Sequence, residues 1–561
     1  MACVPSPFCF AARSQGVAIV GHNLKVLNEA DTSMRSTTDD AASLRSGEDR
    51  GFAGHPRALG PLFFTEMWER FSYYGIRPLL VLFMAASVFE GGLGFSRETA
   101  SAIVGIYAGA VYLSALPGGW LADNWLGQRR AVWYGSVLIA LGHLSIAFSA
   151  VWGATWFFIG LVLIVLGSGL FKSCISVMVG SLYDQGDVRR DGGFAIFYMG
   201  INIGGLMAPL FTGLLMREYG WHWGFGIGGL GMLLALLIFR LSAIPAMRRA
   251  DSLRGRAASW DAPAVHRRGV GYYVAALAVA CAVFIALVAN GAIVLDAVAI
   301  AEAMTTVIIV CALGYFVYLF AFSGLDKQER ARIVVCFILI MAAAFFWASF
   351  EQQPTSYNLF AHDYTDRMLF GWEVPAVWFQ SFNPVFIILL GPLFGWLWPA
   401  LGRRRLEPGS SVKFVLGLLF AAGGFALMML AAMRVAGGAA QVSPLWITGS
   451  LLLLTIGELC LSPVGLSTMS ALAPVKLRGQ LMGLWFTASA LGNLVAGLIG
   501  GHVNAEELEQ LPELFARCAV ALVACAVLLA LLTPVIKRML KGNPTVDPAG
   551  ADASAQTNTG A

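Results

Sequence analysis

The sequence predicts an all-α polytopic membrane protein with fourteen transmembrane helices. Of its 561 residues, 58% are hydrophobic and only 12% are charged. A soluble domain is nearer about 45–50% apolar and about 25% charged. Apolar runs near ~20 residues, the length that crosses a bilayer as a helix, recur along the whole chain. The connecting loops alternate between rich and poor in Lys and Arg. Once the spans are removed, no segment is long enough for a soluble domain of useful size.

The predicted spans are 61–86, 98–122, 130–150, 154–182, 193–216, 222–243, 271–290, 302–323, 333–360, 375–400, 413–434, 445–472, 479–501 and 513–537. Basic loops include Gln128-Arg129-Arg130, Arg189-Arg190, Arg403-Arg404-Arg405 and Lys476 to Arg478, and the loops between them are poor in Lys and Arg. The positive-inside rule puts the basic set, and both termini, in the cytoplasm. Residues 1–58 are polar and lack the apolar core of a secretory signal. They read as a disordered cytoplasmic tail, with Met34 a second candidate initiator, and 541–561 as another disordered tail.

The segment Arg240 to Arg268 holds seven Arg and two Asp, with six spans before it and eight after. This predicts a six-helix bundle over 59–243 and another over 331–540, with a linker and two inserted helices over 244–330. Spans 271–290 and 302–323 are the insertion, because neither carries a charge in its apolar interior. The linker itself is expected to be solvated and to face lipid headgroups.

The first span is the informative one. It reads TEMWERFSYYGIRP from Thr65 to Pro78 and keeps four charges. At ~100° per residue, Glu66, Glu69, Arg70, Tyr73 and Arg77 form one polar stripe with Tyr74 at its edge. Phe64, Trp68, Phe71, Leu79 and Leu82 occupy the other face. A charge in mid-membrane costs a few kcal/mol by insertion scales, so such a stripe faces a bundle interior or a water-filled cavity. Two carboxylates beside one Arg have coupled protonation, which suits a proton-driven machine. An ion pair locking neighbouring helices is the alternative. Lys172, Glu351 and Glu458 are further intramembrane charges. His143 reads as a structural histidine. Seven cysteines lie in apolar runs with no CxxC pair or metal-ligand spacing. No phosphate-binding loop or nucleophile elbow is present, so ATP-driven transport and membrane-enzyme chemistry have little support.

These residues resemble the proton-dependent oligopeptide transporters, a branch of the major facilitator superfamily. The pattern ExxERFxYYG spans Glu66, Glu69, Arg70, Phe71, Tyr73, Tyr74 and Gly75, and FYxxINxG spans Phe197 to Gly204. GGWLADNWLGQRR (Gly118 to Arg130), FFWASFEQQ, QSFNPVFI and GELCLSPVGLS follow in the family's order. The resemblance runs from about Pro61 to Ile536. It implies a major facilitator fold of two six-helix bundles plus two inserted helices. It also implies import of di- and tripeptides with protons, powered by the proton gradient without a cofactor, and no enzymatic activity.

By the same resemblance, Glu66, Glu69 and Arg70 couple proton movement to transport. Arg77 and Lys172 attract the peptide carboxylate, and Glu458 holds the amino group. Tyr73, Tyr74 and Tyr112 line one half of the pocket; Asn202, Trp347, Glu351, Asn383, Ser462 and Trp485 complete it. Arg77 with Glu351, and Lys172 with Glu458, are expected to pair across the halves as gates. Asp123, Arg129 and Arg130 are expected to form a cytoplasmic hinge lock. The chain departs from the family at Ser173-Cys174, where Pro-Asn is common, and at Ser181 and Pro354. The expected partners are di- and tripeptides, protons and the lipid bilayer of the inner (plasma) membrane, with no nucleic acid. A symporter for another small solute (a peptide mimic, an amino-acid conjugate or nitrate) and a non-transporting peptide receptor are the competing readings.

Overall fold

A computed structural model describes residues 50–540, apart from 185–186, 188, 256–259, 264–268, 293–294, 475–476 and 504–508. The disorder expected for 1–49 and 541–561, and the contribution of Lys476 and of Arg256, Arg267 and Arg268 to the basic loops, lie outside the described residues. A short antiparallel hairpin opens the described chain, with β1 at Arg50–Phe52 and β2 at His55–Pro56. This stretch was expected to belong to the tail. Instead Ala53 and Gly54 make its turn at positive φ, Phe52 packs on Phe63, and His55 hydrogen-bonds Tyr183.

Among the described residues, fourteen long helices follow in the predicted order. They are α1 Leu59–Ala85, α2 Arg97–Leu121, α3 Gln128–Trp152, α4 Ala154–Gly180, α5 Arg190–Tyr219, α6 Trp221–Ile238, α7 Val270–Ala289 and α8 Ala297–Phe322. Then come α9 Lys327–Phe350, α10 Phe382–Arg403, α11 Ser410–Ala436, α12 Leu445–Leu472, α13 Arg478–Gly500 and α14 Leu511–Leu540. Thirteen are long and apolar enough to cross a membrane. The other, α1, has the length at 27 residues but carries the four charges.

Local chemistry sets the helix ends. Single-residue connections join α3 to α4 and α5 to α6, at Gly153 (φ 89°) and Gly220 (φ 94°). Only glycine takes such a turn without strain. Ser96 caps α2, and Asp326 with Glu329 forms a capping box on α9. The span predicted over 333–360 is broken. Helix α9 ends at Phe350, a wide turn covers Gln353–Tyr357, and a short helix covers Asn358–Tyr364. Pro354 explains the break, since it offers no backbone N–H and clashes one turn back. The break falls beside Glu351.

Helices α1–α6 pack on one another, with α1 wedged between α5 and α6 and α3 lying along α4. Helices α9–α14 form a second group, in which α11 packs on α12 and α14, and α9 on α13. Each helix reverses the chain, so both ends of the described chain lie at one end of the bundle, here the terminal end. Both groups meet through α2 against α13 and α5 against α10. Helix α8 lies outside them, against α2 and α13.

Candidate functional site

The polar stripe of α1 is internal. Glu66, Glu69, Arg70, Tyr73 and Arg77 are all buried. The Arg70 Nε lies 3.0 Å from Glu66 Oε1 and 2.6 Å from Glu69 Oε2, so one guanidinium serves two carboxylates. Arg70 and Arg77 also flank the Tyr73 ring, 5.6 and 5.9 Å from its centre. Tyr107 of α2 stacks on Tyr73 at 6.3 Å. The opposite face was expected to be the apolar one, and it is largely buried as well. Phe71 and Leu79 lie against Gly231 and Gly224 of α6, while Trp68 is half-buried and Phe64 exposed.

Arg77 reaches across to the second group. Its Nη2 donates to Glu351 and, at 2.6 Å, to Asn493 Oδ1 of α13. The expected Arg77–Glu351 pair is therefore formed. Other bonds between the groups gather at the same, far end. Asn358 donates to the Pro78 carbonyl at 2.6 Å, and Ser381 and Trp378 donate to the carbonyls of Leu206 and Leu210. Arg97 pairs with Asp363, and Arg217 donates to the Glu373 carbonyl. In chain position these lie beyond the midpoint of α1, α5 and α13 or at the far-end starts of α2 and α10.

The expected Lys172–Glu458 pair is not formed. Lys172, half-buried on α4, holds its ammonium 3.6 Å from the centre of the Tyr112 ring instead. Glu458, half-buried on α12, accepts from Asn383 at 3.1 Å, and the same Asn383 amide donates to Thr455 at 3.0 Å. The physical reason is local: the Tyr112 ring engages the Lys172 ammonium, and Asn383 engages the Glu458 carboxylate.

The remaining pocket residues divide. Trp347 is buried beside Phe350, with Gly492 of α13 against its Cβ. Trp485 is a packing residue, seated on Gly465 and edge-on to Phe414. Asn202 turns its amide back onto the Tyr198 carbonyl. Tyr74 and Ser462 are half-buried.

Asp123, Arg129 and Arg130 do not close a lock with one another. Asp123 sits in the wide turn Ala122–Leu126 and accepts from Gln128, and Arg130 is exposed. Arg129 pairs with Asp261 of the linker, and its backbone N–H donates to the Trp260 carbonyl. Trp260 itself is buried and donates to Asp251 at 2.6 Å. The linker was expected to be solvated and to face lipid; its described centre is docked on the α2–α3 turn. Asp261 meets Arg129 because the Arg129 N–H to Trp260 carbonyl bond brings the linker alongside α3.

Among the described residues, no three His, Cys, Asp or Glu side chains come together as a metal site. The groups that do converge are ion pairs, aromatic rings and two half-buried charges of opposite sign.

The sequence profile of the POT family matches residues 129–514. The chain belongs to the POT family. It is 63% identical over 492 residues to the peptide transporter YePEPT of Yersinia enterocolitica subsp. palearctica, covering 88% of this chain and 96% of that one. It is 36% identical to a di-/tripeptide transporter of Lactococcus lactis subsp. cremoris, covering 80% and 89%. The crystal structure of a peptide transporter POT in complex with sulfate superposes with a TM-score of 0.80 at 37% identity, covering 88% and 98%. This POT family chain is thus a multi-pass membrane protein with a major facilitator fold. Its sequence did not point to Tyr107, Asn358, Asn493, Trp260 or Asp261. The available signal for Asn493 was an amide alone in the apolar run from Leu491 to Gly500.

Proposed function

We propose that this chain is a proton-coupled symporter that imports di- and tripeptides by alternating access. It is a transporter and not an enzyme, it needs no cofactor, and it works in the inner membrane with the terminal end of the bundle in the cytoplasm. The observation that carries the reading is Arg70 held between two buried carboxylates, two turns from an Arg77 that ties the two groups together. Energy coupling and gating thus share one helix. The peptide character of the relatives supports the choice of substrate.

Glu66 and Glu69 share one cation, so they bind protons as a unit, and a proton arriving there releases Arg70. Lys172 and Glu458 are the poles for the peptide carboxylate and amine. Neither has an ion-pair partner among the described residues, and each sits in the half-buried position that a zwitterion would reach. Tyr73, Tyr74, Tyr112, Trp347, Asn383 and Ser462 line the space between them. The bonded far end is the closed outer gate.

Uptake of labelled dialanine and trialanine into proteoliposomes tests this, with and without an inward proton gradient. Wild type accumulates both peptides only with the gradient. Glu66→Gln loses accumulation but keeps peptide exchange, and Lys172→Ala loses affinity. Folded wild type that moves neither peptide under either condition sinks the assignment.

A further inference from the structure

Helix α8 meets the second group at two levels and leaves a trough between them. Toward the far end, Ala301 is buried in one cluster with Leu494 of α13 and Ala102 of α2. Toward the terminal end, the Phe316 ring lies edge-on to Phe337 of α9 with 4.7 Å between centres, and the Tyr315 hydroxyl donates to Gln480 of α13. Between these levels α8, α9 and α13 wall a cavity of about 260 Å³. It runs from Ile308 to Phe316 along α8, about 12 Å at ~1.5 Å per residue. Ile340, Ala344 and Ala488 at its base are buried, whereas Ile309, Leu313, Met341 and Phe345 at its rim are exposed. The trough therefore opens sideways, and no described residue of α7 lines it. Its wall is apolar: the one hydroxyl, of Thr487, already donates to the Gly483 carbonyl at 3.0 Å.

We propose that the trough is a binding site for one phospholipid acyl chain, held between the inserted helix and the second group. Water makes no hydrogen bond with such a wall; an apolar cavity of about 150 Å³ stays dry and accepts an apolar guest. Close-packed interiors keep few voids of this size. The phase beside the rim is bilayer hydrocarbon, which suits these side chains as well as a protein core does. Depth selects the part of the lipid. Phe316 lies six residues inside one end of α8, about 9 Å, and Ile308 lies eleven residues inside the other. Headgroups at the surface do not reach the trough, whereas chains do. A length of about 12 Å is also most of the ~15 Å that one leaflet contributes to a hydrocarbon core of about 30 Å. A chain conforms to small shifts of α9 and α13 against α8, where fixed side chains would clash or part. The site does not depend on which solute is transported.

The test is photolabelling in vesicles of phosphatidylethanolamine and phosphatidylglycerol. A trace of phosphatidylcholine carries a diazirine near the end of one chain, and cross-linked peptides are read by mass spectrometry. Label should collect on Ile309, Leu313 and Met341 several-fold above the exposed Leu277 of α7. The same lipid with its diazirine at the headgroup should leave the trough unlabelled. Ala312→Phe fills the trough and should remove the excess, with the label at Leu277 unchanged. These results together support the site. Equal label at the trough and at Leu277, or an excess that survives Ala312→Phe, means that bulk lipid passes the trough without being held, and overturns the proposal. A trough without label beside a labelled Leu277 means that protein, such as a second copy of the chain, covers it, and overturns it too. So does label at the trough from the headgroup probe. Should Ala312→Phe fail to fold, Ala344→Leu reads the same loss.

Discussion

The first helix and the inserted pair stand at opposite extremes of this bundle. Helix α1 carries two carboxylates and two guanidiniums, and nearly all of it is buried. Helices α7 and α8 are almost free of charge, and only 7% and 17% of their most apolar stretches are buried. In water the order would be reversed. In a bilayer, lipid tails are as good a surrounding for Leu and Val as a protein core, so apolarity does not draw a helix inward. Charges do, because only the interior supplies counter-charges and hydrogen bonds. The most polar span is therefore the central one, and the inserted pair, without a charge in its interior, is left at the periphery.

The comparison breaks most sharply at Arg70. Arg70→Leu leaves two buried carboxylates without their cation, a loss of about 3–5 kcal/mol for a broken buried pair. Thermal unfolding in detergent should show a large fall in stability; an unchanged transition would mean that the stripe is wet and its charges are solvated. The Arg77–Glu351 contact comes next. Arg77→Glu and Glu351→Arg should each cut peptide exchange about 100-fold, in line with a buried charge pair. The double swap should recover a substantial part, and no recovery would argue against direct pairing.

A smaller effect is expected where α2 and α13 touch. A Cβ on Gly497 would meet the Gly105 Cα and the Ser101 carbonyl at 2.7 Å. Gly497→Leu should cost about 1–3 kcal/mol as an overpacked contact, read as a lower unfolding temperature and slower exchange. The smallest effect belongs to the inserted pair. Leu277→Ala and Val310→Ala remove exposed side chains and should each change stability by under about 0.5 kcal/mol, with uptake unaltered. A large loss of uptake in either would show that α7 and α8 are part of the machine.

The fourteen spans and the stripe on α1 were legible because they are local. Helix length, hydropathy and ~100° periodicity all act within one segment. The Arg77–Glu351 pair came from charge complementarity together with the resemblance, since its members are 274 positions apart. Asn493 and Tyr107 were not seen for the same reason. A lone amide or tyrosine in an apolar run carries no mark of the helix it will meet. The Lys172–Glu458 pair is open here, one of the two states expected of a pair that forms and breaks, and complementary charge does not say which end of the bundle is closed. The linker was misread because its arginines suggested solvent, whereas Trp260 and Asp261, two residues within it, set where it docks.

Gly105 and Gly497 place the axes of α2 and α13 almost in contact, at a level between the ends of both helices. Two bodies that rock about such a line move least beside it, and their displacement grows with distance from it. Arg97 at one end of α2 has the long lever arm, and so does Leu116 near the other. Helix α8 rests on this line: Ala301, Met304 and Ile308 meet Ala102 and Ile106 of α2 and Leu494 and Leu498 of α13. It touches both bodies where their relative travel is smallest. An extra helix at that position adds bulk without friction, and this explains mechanically how a rocking bundle can carry an insertion between its halves.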